Sequence, residues 1–381
     1  MNYKDKFTLD GRVKPVAGVT RAKVQHVQKL VEAALKGSHS AVGTLKESLT
    51  TSDAIFNFAH VVQLNLLPQY DEAERTWRLI AGTRGASDFR PQALYSILGQ
   101  WQDGVLGDGT PRHVAPVIPE GVAYPYAYMA GEESQNARIQ KRGFKTDFTM
   151  ESFVNDTVGF IQALPGEMLQ VALDTEEYEV YSALLNGAGT DQQLDAGTIP
   201  DGTSVPANAS LDRAALILAK SQLANREING RKIRVTGGYN LIVPVGQTDY
   251  VQFILNNVSL SRINQGDLRF EVTGYNPLGD LTIVESEYVT GTQWYLVPKP
   301  GATRRPTLER LSLIGHEAPE LRVENATGNY IGGGQVSPFE GSFDNDSATF
   351  RLRTFGTGVL WTPDQVVWST GAGGPSTPPT A

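Results

Sequence analysis

Cysteine is absent from this 381-residue chain. Disulfides, thiolate nucleophiles and cysteine-ligated zinc are therefore excluded. Long apolar runs are missing too. Stretches such as Leu241–Val245 are far too short to cross a bilayer. The N-terminus, MNYKDKFTLD, lacks the apolar core of a secretory signal. These absences point to a soluble protein made in a cytoplasm.

Catalytic signatures are equally scarce. The five histidines, His26, His39, His60, His113 and His316, form no HExxH, no HxH and no i,i+4 pair. His316–Glu317 is a dipeptide in an expected loop. Gly37–Ser40 sets Ser beside His, but adjacency along the chain is not triad geometry. There is no G-x-S-x-G elbow, no GxxxxGK[ST] and no GxGxxG. Asp344-x-Asp346 starts like a calcium loop but lacks its glycine and its twelfth-position glutamate. No catalytic residue, cofactor site or metal site is expected. A carboxylate-dependent hydrolase is the rival of a different class, and it predicts a monomer or small oligomer.

Charge is modest and uneven. Charged residues make up 19% of the chain, and the net charge is -8. Residues 1–50 hold nine Lys/Arg against four Asp/Glu, or +5, which leaves 24 against 37, or -13, for the rest. A basic arm on an acidic body suits contact with nucleic acid or with the acidic body of a neighbouring subunit.

The 39 glycines and 21 prolines imply many turns, which excludes an all-helical bundle. Helices are expected over Thr20–Lys36, after Asp53 as far as Pro68, and from Asp71 to Ile80. Ser87–Ile97 reads as a strand interrupted at Pro91. Val122–Met150 reads as a long two-stranded flap. In it Ile139, Phe144 and Phe148 interleave with Arg138, Lys141, Arg142 and Lys145.

A long helix should follow over Asp156–Asn186, stopped by Gly187. Ile161, Leu164, Met168, Val171, Thr175 and Tyr178 mark its expected apolar face. Glu176, Glu177 and Glu179 lie on a solvated or interfacial side. Further helices are expected over Leu211–Ala224, opened by Ser210 or Asp212, and over Thr248–Asn257. Expected strands are Asn240–Val245, Leu268–Val272, Leu281–Val284, Trp294–Pro298 and Ala348–Phe355, with the segments Leu308–Ile314 and Glu320–Glu324 before the last of them. A Gly-rich loop is expected at Gly332–Gly334. The last stretch, GAGGPSTPPTA, has the composition of a tail that does not pack. Helices and strands mix without regular alternation, so the fold class is α+β.

In this order, the elements resemble the major capsid proteins of tailed double-stranded DNA bacteriophages, with the Hong Kong 97-type fold. The residues that carry the likeness are Lys141-Arg142-Gly143, then Asn155-Asp156, then Tyr181, Leu184 and Leu185. The segments LIVPVGQTDYVQFILNN and FRLRTFGTGVLWTPDQVVWSTG carry it further. No single motif is specific; order and spacing make the match.

The resemblance implies an N-terminal arm over 1–75, the start of a peripheral domain over 76–121 and an extended hairpin loop over 122–150. It implies a spine helix over 151–187, a mainly axial domain over 188–335, return strands over 336–370 and a tail over 371–381. It further implies a structural role without catalysis, in hexamers and pentamers of an icosahedral shell around double-stranded DNA. Expected partners are further copies of the chain, a portal, a separate scaffolding protein (no fused leader of usual size is seen), a decoration protein and packaged DNA, with no membrane. Assembly is expected in the host bacterial cytoplasm. An encapsulin-type nanocompartment shell is the alternative. The expected subunit interface joins Arg138, Lys141, Arg142, Lys145, Phe144 and Phe148 of one copy to Glu176, Glu177 and Glu179 on a neighbour's helix.

Overall fold

A computed structural model describes residues 69–98, 117–124, 128–149, 160–228, 231–256, 278–324 and 347–378. The elements, in chain order, are helix α1 (Trp77–Ile80) and strands β1 (Gly82–Ala86), β2 (Gln92–Leu98), β3 (Tyr128–Ala137) and β4 (Gln140–Thr149). Helix α2 (Phe160–Gly187), β5 (Gly197–Thr198), β6 (Ser204–Val205), helix α3 (Arg213–Asn225), β7 (Glu227–Ile228) and β8 (Arg231–Lys232) follow. Then come β9 (Tyr239–Pro244), helix α4 (Thr248–Asn256), β10 (Leu281–Ser286), β11 (Trp294–Pro298), β12 (Leu308–Leu313), β13 (Glu320–Val323), β14 (Ser347–Leu360) and β15 (Val367–Ser369). The class is α+β, as the sequence indicates. The expected helices before Pro68, the strand Leu268–Val272, the loop Gly332–Gly334 and Asp344-x-Asp346 lie outside the described residues.

The chain forms two compact units. One comprises Met1–Glu74, Gln140–Thr175 and Ser312–Gly356; the other comprises Arg75–Ile139, Glu176–Leu311 and Thr357–Ala381. The division falls inside α2.

In the first unit, β14 is flanked by two antiparallel partners. Its residues from Ser347 to Gly356 pair with β4, and Phe350 to Arg353 pair with β13. Alternation along the strands sorts the faces. Phe350, Leu352 and Leu321 are buried, whereas Arg351, Arg322 and Lys145 are exposed. Gly143 lets β4 approach, since a Cβ there would lie 2.3 Å from the Leu352 carbonyl oxygen. Tyr70 and Leu169 form a small separate cluster with Leu173 and Ala318.

In the second unit a four-stranded sheet runs β10-β9-β11-β15. Strand β9, YNLIVP, is buried along its whole length, as a central strand covered on both faces should be. It pairs in parallel with β10, and α4 lies in the connection between them. Strand β11 is antiparallel to both β9 and β15. Helix α3 starts at Asp212, whose carboxylate accepts from the Ala215 backbone N–H at 2.7 Å. The apolar side of α3, with Leu216, Ala219 and Leu223, packs with Leu241, Val243 and Trp294 in one core cluster. A second cluster gathers Trp77, Val180, Tyr181, Leu184, Tyr295, Leu308 and Leu360.

Three expectations are corrected. The first concerns the flap. Strand β3 pairs with β2, with a register shift between Gln92 and Leu94, and β4 pairs with β14. The strands of Val122–Met150 therefore find their partners outside that segment, because alternation along one strand carries no record of its partner. The second concerns the face of α2. Val171 and Tyr178 are exposed, while Met168, Leu169, Ala172, Glu176, Glu179, Val180 and Leu184 are buried. Met168 of the expected face is buried, but the buried stripe is shifted by about one position beyond it and contains two glutamates, which hydrophobic spacing alone does not select. The third is the tail. Thr377 and Ser204 exchange backbone hydrogen bonds, Gly373 N–H donates to the Asn208 carbonyl at 2.8 Å, and Ser376 N–H donates to Asp212 Oδ2 at 2.8 Å. A Cβ at Gly373 would lie 2.0 Å from the Ala207 carbonyl oxygen. Glycine here permits close backbone packing instead of looseness.

Candidate assembly surface

Strand β4 carries most of the expected interface residues. Lys141, Arg142, Phe144, Lys145 and Phe148 belong to the first unit, and Arg138 belongs to the second. Alternation places Lys141, Gly143, Lys145 and Asp147 on one side of β4, and all four are exposed. Arg142 is half-buried and donates to Gln140 Oε1 at 3.1 Å. Phe144, opposite Leu352, keeps 36% of its surface exposed, so it straddles the sheet edge and solvent. Arg138 donates from Nε to the Phe89 carbonyl at 3.0 Å.

The same side of the sheet holds one heavily used carboxylate. Glu320 lies 2.5 Å from Arg353 and 3.1 Å from Arg322, and it contacts His316 Nδ1 directly. Burial pushes the Glu320 carboxyl up, but hydrogen bonds from His316 and Arg353, with the Arg353 charge, hold it below the ordinary carboxylate range. The His316 ring also meets Phe355 edge-on at 5.5 Å. His316 and its neighbour Glu317, whose Oε1 accepts from Gly315 N–H at 2.9 Å, thus have structural partners.

The expected acidic half of the interface turns inward. Glu176 and Glu179 are 0% and 2% exposed. Glu176 lies 3.6 Å from Arg75 and 3.3 Å from Arg310, while Glu179 lies 3.2 Å from Arg310. The Arg310 guanidinium also stacks over Trp77, 5.5 Å from the ring centroid. A carboxylate is buried only when it is paired; here the pairs lie within one chain. Glu177 is half-buried and accepts from the Thr76 and Trp77 backbone N–H groups at 2.7 and 3.3 Å, and from Thr76 Oγ1 at 2.8 Å. Burial raises its carboxyl above the ordinary range despite these bonds. Burial likewise pushes the Tyr181 hydroxyl, 2.9 Å from Thr76 Oγ1, up to about 12. Glu176 and Glu179 are therefore not on a surface that a neighbouring flap can reach.

Sequence reasoning missed Arg75 and Arg310 as their partners. It also missed Arg322 and Arg351 as companions of Lys145. The alternation of ATFRLRTF was the available signal for Arg351 and Arg353. Among the described residues, no cluster of three or more His, Asp or Glu could hold a metal ion. Nor is any helix there long and apolar enough to cross a membrane.

The family model described as phage capsid protein matches residues 132–369, which is more than half of the chain. The chain belongs to the phage capsid protein family. No curated protein matches the sequence of this capsid protein. Among solved structures it is similar to a chain from Mycobacterium phage Adephagia, at 13% identity and a TM-score of 0.42, covering 81% of this chain and 92% of that one. A chain from Gordonia phage Cozz shows 14% identity and a TM-score of 0.41 over 76% and 84% of the two chains. The holo-SrpI encapsulin complex from Synechococcus elongatus shows 10% identity and a TM-score of 0.41 over 78% and 88%. As a capsid protein, the chain is a structural shell component of a virion that assembles with copies of itself.

Proposed function

We propose that this capsid protein is the major head subunit of a tailed phage, with the Hong Kong 97-type fold, and that it closes into an icosahedral shell around double-stranded DNA. Family membership over residues 132–369 is the observation that carries this reading. It favours a phage shell over an encapsulin-type compartment. Rings of hexamers and pentamers follow from head-to-tail contacts that close. The chain does no catalysis. A portal, a separate scaffolding protein and a decoration protein join it, and assembly takes place in the host cytoplasm. The basic N-terminal stretch meets DNA or a neighbouring subunit.

Arg138, Lys141, Arg142, Lys145, Phe144 and Phe148 supply subunit contacts in this reading. Glu176 and Glu179 are not their partners, being enclosed in their own chain. Each exposed ion pair is worth only about 0–1 kcal/mol. Apolar burial adds roughly 25 cal/mol per Å² before association costs. Weak contacts let misplaced subunits leave, and many per subunit hold the finished shell.

Expression of the chain with its phage-encoded head partners, followed by electron microscopy and a nuclease-protection assay, tests the reading. Closed shells that protect duplex DNA are expected. Reversing the charges of Arg138, Lys141, Arg142 and Lys145 together should suppress shells while the subunit stays folded. Persistently monomeric wild-type protein would defeat the shell reading. Shells filled with a protein cargo instead of DNA would favour the encapsulin alternative.

A further inference from the structure

Three basic residues stand in one row across the sheet of the first unit. Lys145 of β4 is directly opposite Arg351 of β14, and Arg351 is directly opposite Arg322 of β13. All three are exposed. Directly opposed residues point to the same side of a sheet, with Cβ atoms about 5 Å apart, so the row is short and dense. The sheet fixes its spacing.

Such a row costs the isolated subunit stability, because like charges placed directly opposite repel. Among the described residues, the chain's own acids do not cancel it. Glu320 reaches Arg322 but is already held by Arg353 and His316. Asp147, two residues along β4 from the row, and Glu324, just past the end of β13, form no ion pair with it. Among the described residues, neither Lys145 nor Arg351 has an ion-pair partner. Lys141, opposite Phe355, adds another exposed cation on the same side.

The chain as a whole carries a net charge of -8, so copies of it repel on average. A fixed cationic row on an acidic protein complements the remainder of its own surface. We propose that the row Lys145–Arg351–Arg322 receives a carboxylate-bearing surface of a second copy of this chain during assembly. The contact is head-to-tail, since the cationic row of one copy meets a different, acidic patch on the next. This rests on the shell-forming reading and extends it to β13 and β14, outside the residues expected from sequence.

The test uses R322E/R351E and R322Q/R351Q in the full chain, with Lys145 intact. Shell yield is followed by light scattering and microscopy from low to high salt. The wild type should lose shells as salt rises. The Glu variant should yield about tenfold fewer shells at low salt and lose most of the salt dependence. The Gln variant should show a smaller drop in yield, with a melting temperature close to that of the wild type, since Glu320 keeps Arg353 and His316. The Gln variant removes the repulsion and the Arg322–Glu320 pair but adds no like charge beside Glu320, so it keeps the test decisive if the Glu variant does not fold. Wild-type yield from a folded Gln variant at every salt concentration overturns the inference. So do normal shells with weakened retention of duplex DNA, which would assign the row to nucleic acid. Absence of shells from the wild type itself is a separate failure, that of the shell-forming reading.

Discussion

Arg310 lies 3.3 Å from Glu176, and the side chains of both are at most 5% exposed. The same guanidinium reaches Glu179 one turn further along α2, at 3.2 Å. Strand β12 is thereby tied to the helix through charge in a region closed to water. Removing one member of such a pair strands the other without solvent. Arg310→Met should destabilise the unassembled subunit by about 3–5 kcal/mol. Chemical denaturation of the unassembled variant checks this, and a loss under 1 kcal/mol would mean that the glutamates find other partners.

Glu177 makes a prediction with pH. Its carboxyl is raised by burial, so the folded subunit holds that proton more tightly than the unfolded chain does. The stability linked to this group is full below the unfolded carboxyl range and is lost as pH rises through the folded value. Glu177→Gln keeps an acceptor for the Thr76 and Trp77 N–H groups and removes the titration. Across the mildly acidic range the melting temperature of the wild type should fall relative to that of the variant as pH rises. Parallel pH–melting curves for the two proteins would exclude this role.

Gly358 sits where β14 passes α2. A Cβ there would come within 2.1 Å of the Glu179 carbonyl oxygen and 2.8 Å of the Val180 Cα. Both are backbone atoms, which cannot swing away as a side chain can. Gly358→Ala should cost at least about 1–3 kcal/mol, the usual penalty of overpacking. Gly374→Ala, with open space around its Cβ position but a φ of +84°, probes backbone strain without a clash. Thermal melts of the two should place Gly358→Ala well below Gly374→Ala.

Much of the fold is legible in local sequence. Trp294–Pro298 is a strand with the expected bounds, Asp212 caps its helix, and α2 ends at Gly187. Each of these rests on neighbouring residues: apolar runs, a capping carboxylate, a glycine stop. What escaped rests on contacts between distant segments. Nothing near Gln140–Thr149 announces that it pairs with Ser347–Gly356. Nothing near Glu176 announces Arg75 and Arg310, so two glutamates among apolar residues read as a wet face. The cationic half of the candidate interface was partly legible, because alternation alone puts Lys141 and Lys145 on one side of a strand. Its extension to Arg351 and Arg322 needed the register.

Asp212 serves two masters within one carboxylate. It caps α3 through Ala215 and holds Ser376 through both the backbone N–H and the hydroxyl. Tension applied to the last residues of the chain is therefore delivered to the first turn of a core helix. A load or fusion hung on that end would be felt in the interior of the second unit, and would not be absorbed at its rim.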